Sequence, residues 1–223
     1  RSTSSAASDV YKRQDNYIVT KQEGLGDLDP NDPISYNKYN QKDYAPTLMH
    51  KEAIDFINRN KNFPFFLYYA SPIPHLPLQA PKKWVNYYEK KFGEEKPYTG
   101  KSYYPNKTPK ATYAAMISYL DEQVGDLVSK LKDIGEYENT LIIFTSDNGP
   151  TWVDHVDYNF FNSTGKFINS RRTMKGSVSE GGIRVPMIAS WPNKIKPNSK
   201  SDHISAFYDF FETACDLSLI HIS

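Results

Sequence analysis

The chain has 223 residues, 39% of them hydrophobic and 24% charged, and its 27 basic and 26 acidic side chains leave a formal net charge of +1. That near-neutral balance argues against a nucleic-acid or membrane-surface partner, and no apolar run is long enough to span a bilayer. A single cysteine, Cys215, excludes a disulfide framework within the chain, and 17 Tyr, 12 Phe and 15 Pro suit a turn-rich, carbohydrate-handling protein.

Residues 1–14, RSTSSAASDVYKRQ, carry no periodicity and resemble translated adapter read-through, as does the tail 218–223; both are set aside as non-native. Residues 15–217 are then expected to be an internal piece of a longer protein. From Asn16 to Pro46 the chain reads as loop, with a short strand at Tyr17–Thr20. Thr47 is a candidate N-cap for a helix reaching Asn60, with Leu48, Ile54 and Ile57 near helical spacing. The apolar run Phe63–Ser71 predicts a buried strand. It leads into Ser71-Pro-Ile-Pro-His-Leu-Pro-Leu78, where prolines fix the backbone around His75. Taken alone, His75 is also an ordinary surface histidine in a proline-rich turn.

A basic, Tyr- and Pro-rich excursion follows over 79–109, with a short helix near Lys82–Lys90. Lys110–Ile134 is the strongest helix, its stripe formed by Tyr113, Met116, Ile117, Leu120, Val124, Leu127, Val128 and Leu131, and Gly135 ends it. Leu141–Phe144 then reads as a strand buried on both faces, as in the centre of a parallel sheet. It stops at Ser146-Asp147-Asn148-Gly149-Pro150, and the carboxyl ends of strands are where open α/β sheets hold ligands. Asp147 and Asn148 offer hard oxygen donors suited to Ca²⁺ or Mg²⁺, although the same residues also make a plain turn.

Residues 151–172 read as a long loop. In Met174–Pro186, Gly181-Gly182 permits close backbone approach, Glu180 and Arg184 can pair, and Lys175 precedes a strand at Val185–Trp191. An amphipathic helix over His203–Leu217, with Ile204, Phe207, Phe210 and Phe211, holds Cys215 as a small hydrophobe. Three buried strands interleaved with helices predict an α/β/α sandwich with a mostly parallel central sheet.

Three stretches together resemble the type I, formylglycine-dependent sulfatases: PFFLYYASPIPHLPLQAP (64–81), YAAMISYLDEQVGDLVSKLKDIGEYENTLIIFTSDNGP (113–150) and RRTMKGSVSEGGIRVPMIASWP (171–192). The wording around Phe160-Phe-Asn-Ser163 is most similar to bacterial enzymes acting on sulfated carbohydrates. The resemblance implies an alkaline-phosphatase-like fold, with 15–217 as the central to C-terminal part of the catalytic domain. It makes Asp147 and Asn148 ligands of one Ca²⁺, sets His75 and Lys175 against the sulfate ester, and leaves Asp154 and His155 as candidate sugar contacts. The implied substrate is a sulfated small molecule or glycan, and the implied location is periplasmic or secreted. The chain departs from the family in having no Cys-x-Pro-x-Arg signature, so the formylglycine nucleophile is expected in a segment not present here. By itself the fragment is expected to be inactive. Two alternatives stay open: a metal-dependent phosphatase or phosphodiesterase of the same fold, and a non-catalytic binder of sulfated glycans.

Overall fold

The computed structural model describes residues 24–40, 42–101, 103–167, 170 and 172–218. The predicted strand at 17–20 and the set-aside terminal segments, apart from Ser218, lie outside that part. Three helices form the body: α1 (Ala45–Asn60), α2 (Lys82–Phe92) and α3 (Pro109–Asp133). Helix α3 is the axis on which the others pack. Its first turn has Pro109, whose missing N–H costs nothing there, and the free N–H groups of Lys110 and Ala111 donate to the Glu95 carboxylate at 2.6 and 3.0 Å. Burial pushes the Glu95 carboxyl above the usual carboxylate range, and these two hydrogen bonds oppose that push. At the other end Gly135 adopts φ +77° and the Glu136 N–H donates to the Leu131 carbonyl at 2.9 Å, so the predicted glycine terminator is realised.

The buried face of α3 is rotated from the predicted stripe. Tyr113, Met116, Tyr119 and Leu131 are buried, but so is Gln123 at 0% exposure, whereas Ile117 is 44% exposed. Hydrogen bonds explain the shift, because the Gln123 amide donates to the Pro46 carbonyl at 3.0 Å and accepts from the Tyr69 hydroxyl at 3.2 Å. A polar side chain with both ends paired is inexpensive to bury, and a count of apolar residues does not register it. Thr47 likewise does not cap α1. The helix begins at Ala45, and the Thr47 hydroxyl instead pairs with the Tyr119 hydroxyl at 2.7 Å. The core around this face joins Ile73, Leu78, Tyr113, Met116, Tyr119 and Val156.

Among the described residues two strands form the sheet, and it corrects the expected burial of the first. Strands β1 (Ile142–Thr145) and β2 (Met187–Ser190) pair antiparallel, with Ile142 opposite Ser190 and Thr145 opposite Met187, not as neighbours in a parallel sheet. Nor is β1 buried on both faces, since Ile143 and Phe144 are exposed together with Met187 and Ile188. An apolar run encodes a demand for burial, but it carries no record of strand direction or of which neighbour meets the demand. The third predicted strand, 63–71, is extended chain without a ladder, and its Phe66 and Tyr68 are exposed. The C-terminal helix, α5 (Asp209–Leu217), is shorter than expected: Ile204 and Phe207 precede it, Phe210 meets Phe66 at 6.1 Å between rings, and Cys215 is half-buried. Among the described residues no helix is long and apolar enough to cross a membrane.

Candidate active site

The turn after β1 and the segment that precedes β2 are locked together through backbone atoms. The Gly149 N–H donates to the Gly182 carbonyl at 2.8 Å, and the Lys175 N–H donates to the Pro150 carbonyl at 3.0 Å. A β-carbon on Gly149 would lie 1.9 Å from the Gly181 carbonyl oxygen, and one on Gly182 would lie 2.2 Å from that of Ser177. Only glycine permits such an approach. The expected close contact at Gly181-Gly182 is therefore present, and its partner is the candidate metal turn. Single-turn helix α4 (Glu180–Ile183) carries the predicted ion pair, with Arg184 donating to Glu180 at 2.7 Å in solvent.

Within the turn, the Ser146 hydroxyl donates to the Asn148 carbonyl and the Asn148 side-chain amide donates to the Gly149 carbonyl, both at 2.9 Å. Using the Asn148 N–H in this way leaves its side-chain oxygen as the atom suited to a cation. Asp147 is exposed and, among the described residues, is held by no ion pair. Two adjacent hard oxygens, one of them anionic, fit part of a Ca²⁺ shell, which takes six to eight. No cluster of three acidic, His or Cys side chains supplies the remainder among the described residues.

His75 belongs to a second group of residues. Its ring Nδ1 lies 2.8 Å from the Leu76 carbonyl, which can only accept, so Nδ1 carries a proton and Nε2 is the atom left for chemistry. Its backbone N–H donates to Pro72 at 2.7 Å, and Ile73 and Leu78 on either side anchor the loop in the α3 core. The exposed imidazole stands edge-on to Tyr103, with centroids 6.5 Å apart. Tyr103 lies 6.3 Å from His155, and His155 stacks on Tyr98 at 3.9 Å. His155 sits in the 3-10 turn Asp154–Val156, which Val156 pins into the same core. Asp154 opens that turn, and its side chain lies outside the described part of the structure.

The structure thus joins the backbone turn that carries Asp147 and Asn148 to the backbone at Lys175, and brings His75 and His155 together through Tyr103. None of His75's described contacts is with Asp147 or Lys175. Sequence reasoning missed Tyr98 and Tyr103. They lie in a loop closed by the paired backbones of Tyr98 and Asn106 and tied to the His75 loop by the Asn106 amide, which donates to the Leu78 carbonyl at 3.0 Å. The Tyr-rich composition of 79–109 was the available signal, but it does not say which tyrosine meets which histidine.

The sulfatase family model matches residues 3–219. The chain belongs to the sulfatase family. It is 31% identical over 170 residues to a dog N-acetylgalactosamine-6-sulfatase, covering 75% of this chain and 28% of that protein. It is 33% identical over 183 residues to the uncharacterised sulfatase YdeN of Escherichia coli strain K12, covering 81% of this chain and 29% of that one. The crystal structure of Ps i-CgsB in complex with k-i-k-neocarrahexaose superposes with a TM-score of 0.63 at 30% identity, covering 82% of this sulfatase chain and 36% of its own. A structure from the Bacteroides thetaiotaomicron core locus for metabolism of multiple glycosaminoglycans gives a TM-score of 0.65 at 25% identity, covering 82% and 34%. These neighbours place the sulfatase chain in an alkaline-phosphatase-like α/β fold. It spans about a third or less of the length of these relatives.

Proposed function

We propose that this chain is the part of a sulfatase that carries one side of the ester-binding site, and that the parent protein hydrolyses sulfate esters of carbohydrates. The observation that carries the proposal is the double backbone clamp, Gly149 to Gly182 and Lys175 to Pro150, which ties the turn bearing Asp147 and Asn148 to the segment bearing Lys175. In the family reading Lys175 faces the sulfate and offsets its charge, while His75 uses Nε2 to give a proton to the departing sugar oxygen. Asp147 and Asn148 hold part of a Ca²⁺ shell. When bound, the cation polarises the sulfate oxygens as a Lewis acid. The nucleophile, a formylglycine, and the remaining metal ligands come from the part of the parent protein beyond this chain. There the mostly parallel sheet of the sandwich is completed, with strands pairing the free edges of β1 and β2 and helices covering their exposed apolar faces. Asp154 and His155 contact the sugar, and the parent protein works in a periplasmic or secreted setting.

The test is the Asp147→Ala variant of the complete parent protein, with calcium content read by elemental analysis beside turnover of a chromogenic aryl sulfate. Removal of the anionic ligand should lower both. Full calcium occupancy in the variant refutes the metal assignment, and absence of any sulfate release by the parent protein refutes the activity.

A further inference from the structure

The loop that carries Tyr98 and Tyr103 is held by a second small core, separate from that of α3. There Tyr104 packs against Leu25, Tyr36 and Tyr39, with the Tyr39 and Tyr104 rings 5.5 Å apart. Backbone contacts fix the loop to the same segment. The Leu25 N–H donates to the Thr99 carbonyl at 2.9 Å, and a β-carbon on Gly24 would lie 2.5 Å from the Gly100 carbonyl oxygen. Gly100 itself turns the chain at φ +84°, a conformation open to glycine. Two hydrogen bonds between Tyr98 and Asn106, at 2.8 and 2.9 Å, close the loop, and the Lys101 N–H donates to the Tyr98 hydroxyl at 2.9 Å. The His75 loop is tied to this core at two successive residues: the Asn106 amide donates to the Leu78 carbonyl at 3.0 Å, and the Gln79 amide donates to the Tyr39 carbonyl at 2.9 Å. Tyr103, next to the anchored Tyr104, is thereby set beside His75. The two rings are T-shaped at 72° with centroids 6.5 Å apart, inside the range of about 4.5–7 Å that favourable aromatic pairs occupy.

Among the described residues the exposed His75 ring has one hydrogen bond, from Nδ1 to the Leu76 carbonyl. That bond fixes the tautomer, but one bond leaves the ring plane free to rock about it. A proton donor must keep its N–H within hydrogen-bond reach of the departing oxygen, at about 2.6–3.2 Å. As the sulfur–oxygen bond breaks, its electron pair stays on the leaving oxygen, the sulfuryl group passes to the nucleophile of the parent protein, and the proton arrives from Nε2. His75 ends as the neutral Nδ1–H tautomer with its bond to Leu76 intact. A fixed aromatic wall beside the imidazole removes the rocking that would carry Nε2 off that line.

We propose that Tyr103 is the positioning residue of His75, its ring held by the Tyr104 core so that the imidazole delivers the Nε2 proton to the leaving oxygen. The inference rests on the reading of His75 as the proton donor. It gives the second core a task in the reaction, and it assigns that task to the ring of Tyr103 and not to its hydroxyl.

The experiment compares the complete parent protein with its Tyr103→Leu, Tyr103→Phe and His75→Ala variants on three esters: 4-nitrophenyl sulfate, phenyl sulfate and a monosulfated galactose. A nitrophenolate departs without a proton, whereas a sugar alkoxide needs one, and phenolate lies between them. Tyr103→Leu should therefore lower kcat on the sulfated galactose by about tenfold or more, part of the factor of about 10²–10⁴ that a general acid supplies. The loss should be smaller on phenyl sulfate and slight on 4-nitrophenyl sulfate, with KM and melting temperature little changed. Tyr103→Phe, which keeps the ring, should retain the unmodified rates, and His75→Ala should show the same dependence on leaving group more steeply. An equal loss on all three esters in Tyr103→Leu, as a merely structural role would give, overturns the inference. So does a loss in Tyr103→Phe as large as in Tyr103→Leu, which would place the hydroxyl on the substrate. If His75→Ala depends on the leaving group and Tyr103→Leu does not, only the role of Tyr103 fails. If His75→Ala shows no such dependence, or the parent protein cleaves none of the three esters, the proton-donor reading of His75 fails and the inference falls with it.

Discussion

A single methyl group at Gly149 should break the contact on which the candidate site depends. The added β-carbon would lie 1.9 Å from the Gly181 carbonyl oxygen, 2.9 Å from its carbonyl carbon and 3.0 Å from the Gly182 α-carbon. All three are backbone atoms, so no rotamer change relieves them. An ordinary carbon contact is about 3.5 Å or more, so the two segments must separate by about 1.5 Å. That displacement stretches the 2.8 Å hydrogen bond from Gly149 to Gly182 beyond any useful length. Overpacking of this kind costs about 1–3 kcal/mol, and the lost hydrogen bond adds about 1 kcal/mol. Gly149→Ala should therefore destabilise the chain by roughly 2–4 kcal/mol in urea or guanidinium unfolding. In the parent protein, the same shift between Asp147 and Lys175 should lower turnover by about 10²-fold, the effect of a misplacement near 1 Å. An unfolding free energy within about 0.5 kcal/mol of the unmodified chain, the range of ordinary surface substitutions, would refute the clamp.

Three further outcomes follow from named contacts. Replacing Gln123 by Leu leaves the buried Pro46 carbonyl and the half-buried Tyr69 hydroxyl without this partner, and should cost about 1–3 kcal/mol in chemical denaturation despite the gain in hydrophobicity. Lys83, hydrogen-bonded to the Glu122 carboxylate, holds that group below the usual carboxylate range, with a smaller contribution from the Trp84 indole N–H at 2.6 Å. Because the folded-state value is the lower one, Glu122 contributes stability above its unfolded value near 4.3, and the contribution is lost as the pH falls through and below that value. Glu122→Gln should flatten that part of the stability–pH curve, and an unchanged curve would contradict the pairing. His75→Ala in the parent protein should lower kcat on a sulfate ester by about 10²-fold or more with little change in melting temperature, since the ring is exposed and, among the described residues, meets the Leu76 carbonyl and the Tyr103 ring. Unaltered kinetics would make His75 a surface residue.

What was legible in the sequence divides along a physical line. Helix α3, the Gly135 terminator, the Glu180–Arg184 pair and the close approach at Gly181-Gly182 are consequences of local spacing, steric size or charge, and each is present. The features that differ depend on partners distant in the chain. Gln123 is buried because Pro46 and Tyr69 meet it, Thr47 leaves the capping position because Tyr119 takes its hydroxyl, and β1 meets β2 in an orientation that no run of apolar letters specifies.

The candidate site shows the same division at closer range. Asp147 and Asn148 could be proposed from the sequence because a hard-oxygen pair at a strand's end has a chemical meaning before any partner is known. Tyr98 and Tyr103 could not, because their contacts with His155 and His75 exist only once the loop closed by Tyr98 and Asn106 has folded. Glycine was the indirect trace. A β-carbon at Gly149 would lie 1.9 Å from the Gly181 carbonyl oxygen, and one at Gly181 or Gly182 would lie 2.5 or 2.2 Å from the carbonyl oxygen of Thr173 or Ser177. Three glycines within a stretch otherwise rich in charge and hydroxyl groups thus recorded, in the sequence itself, that two backbones must touch, though not what they enclose.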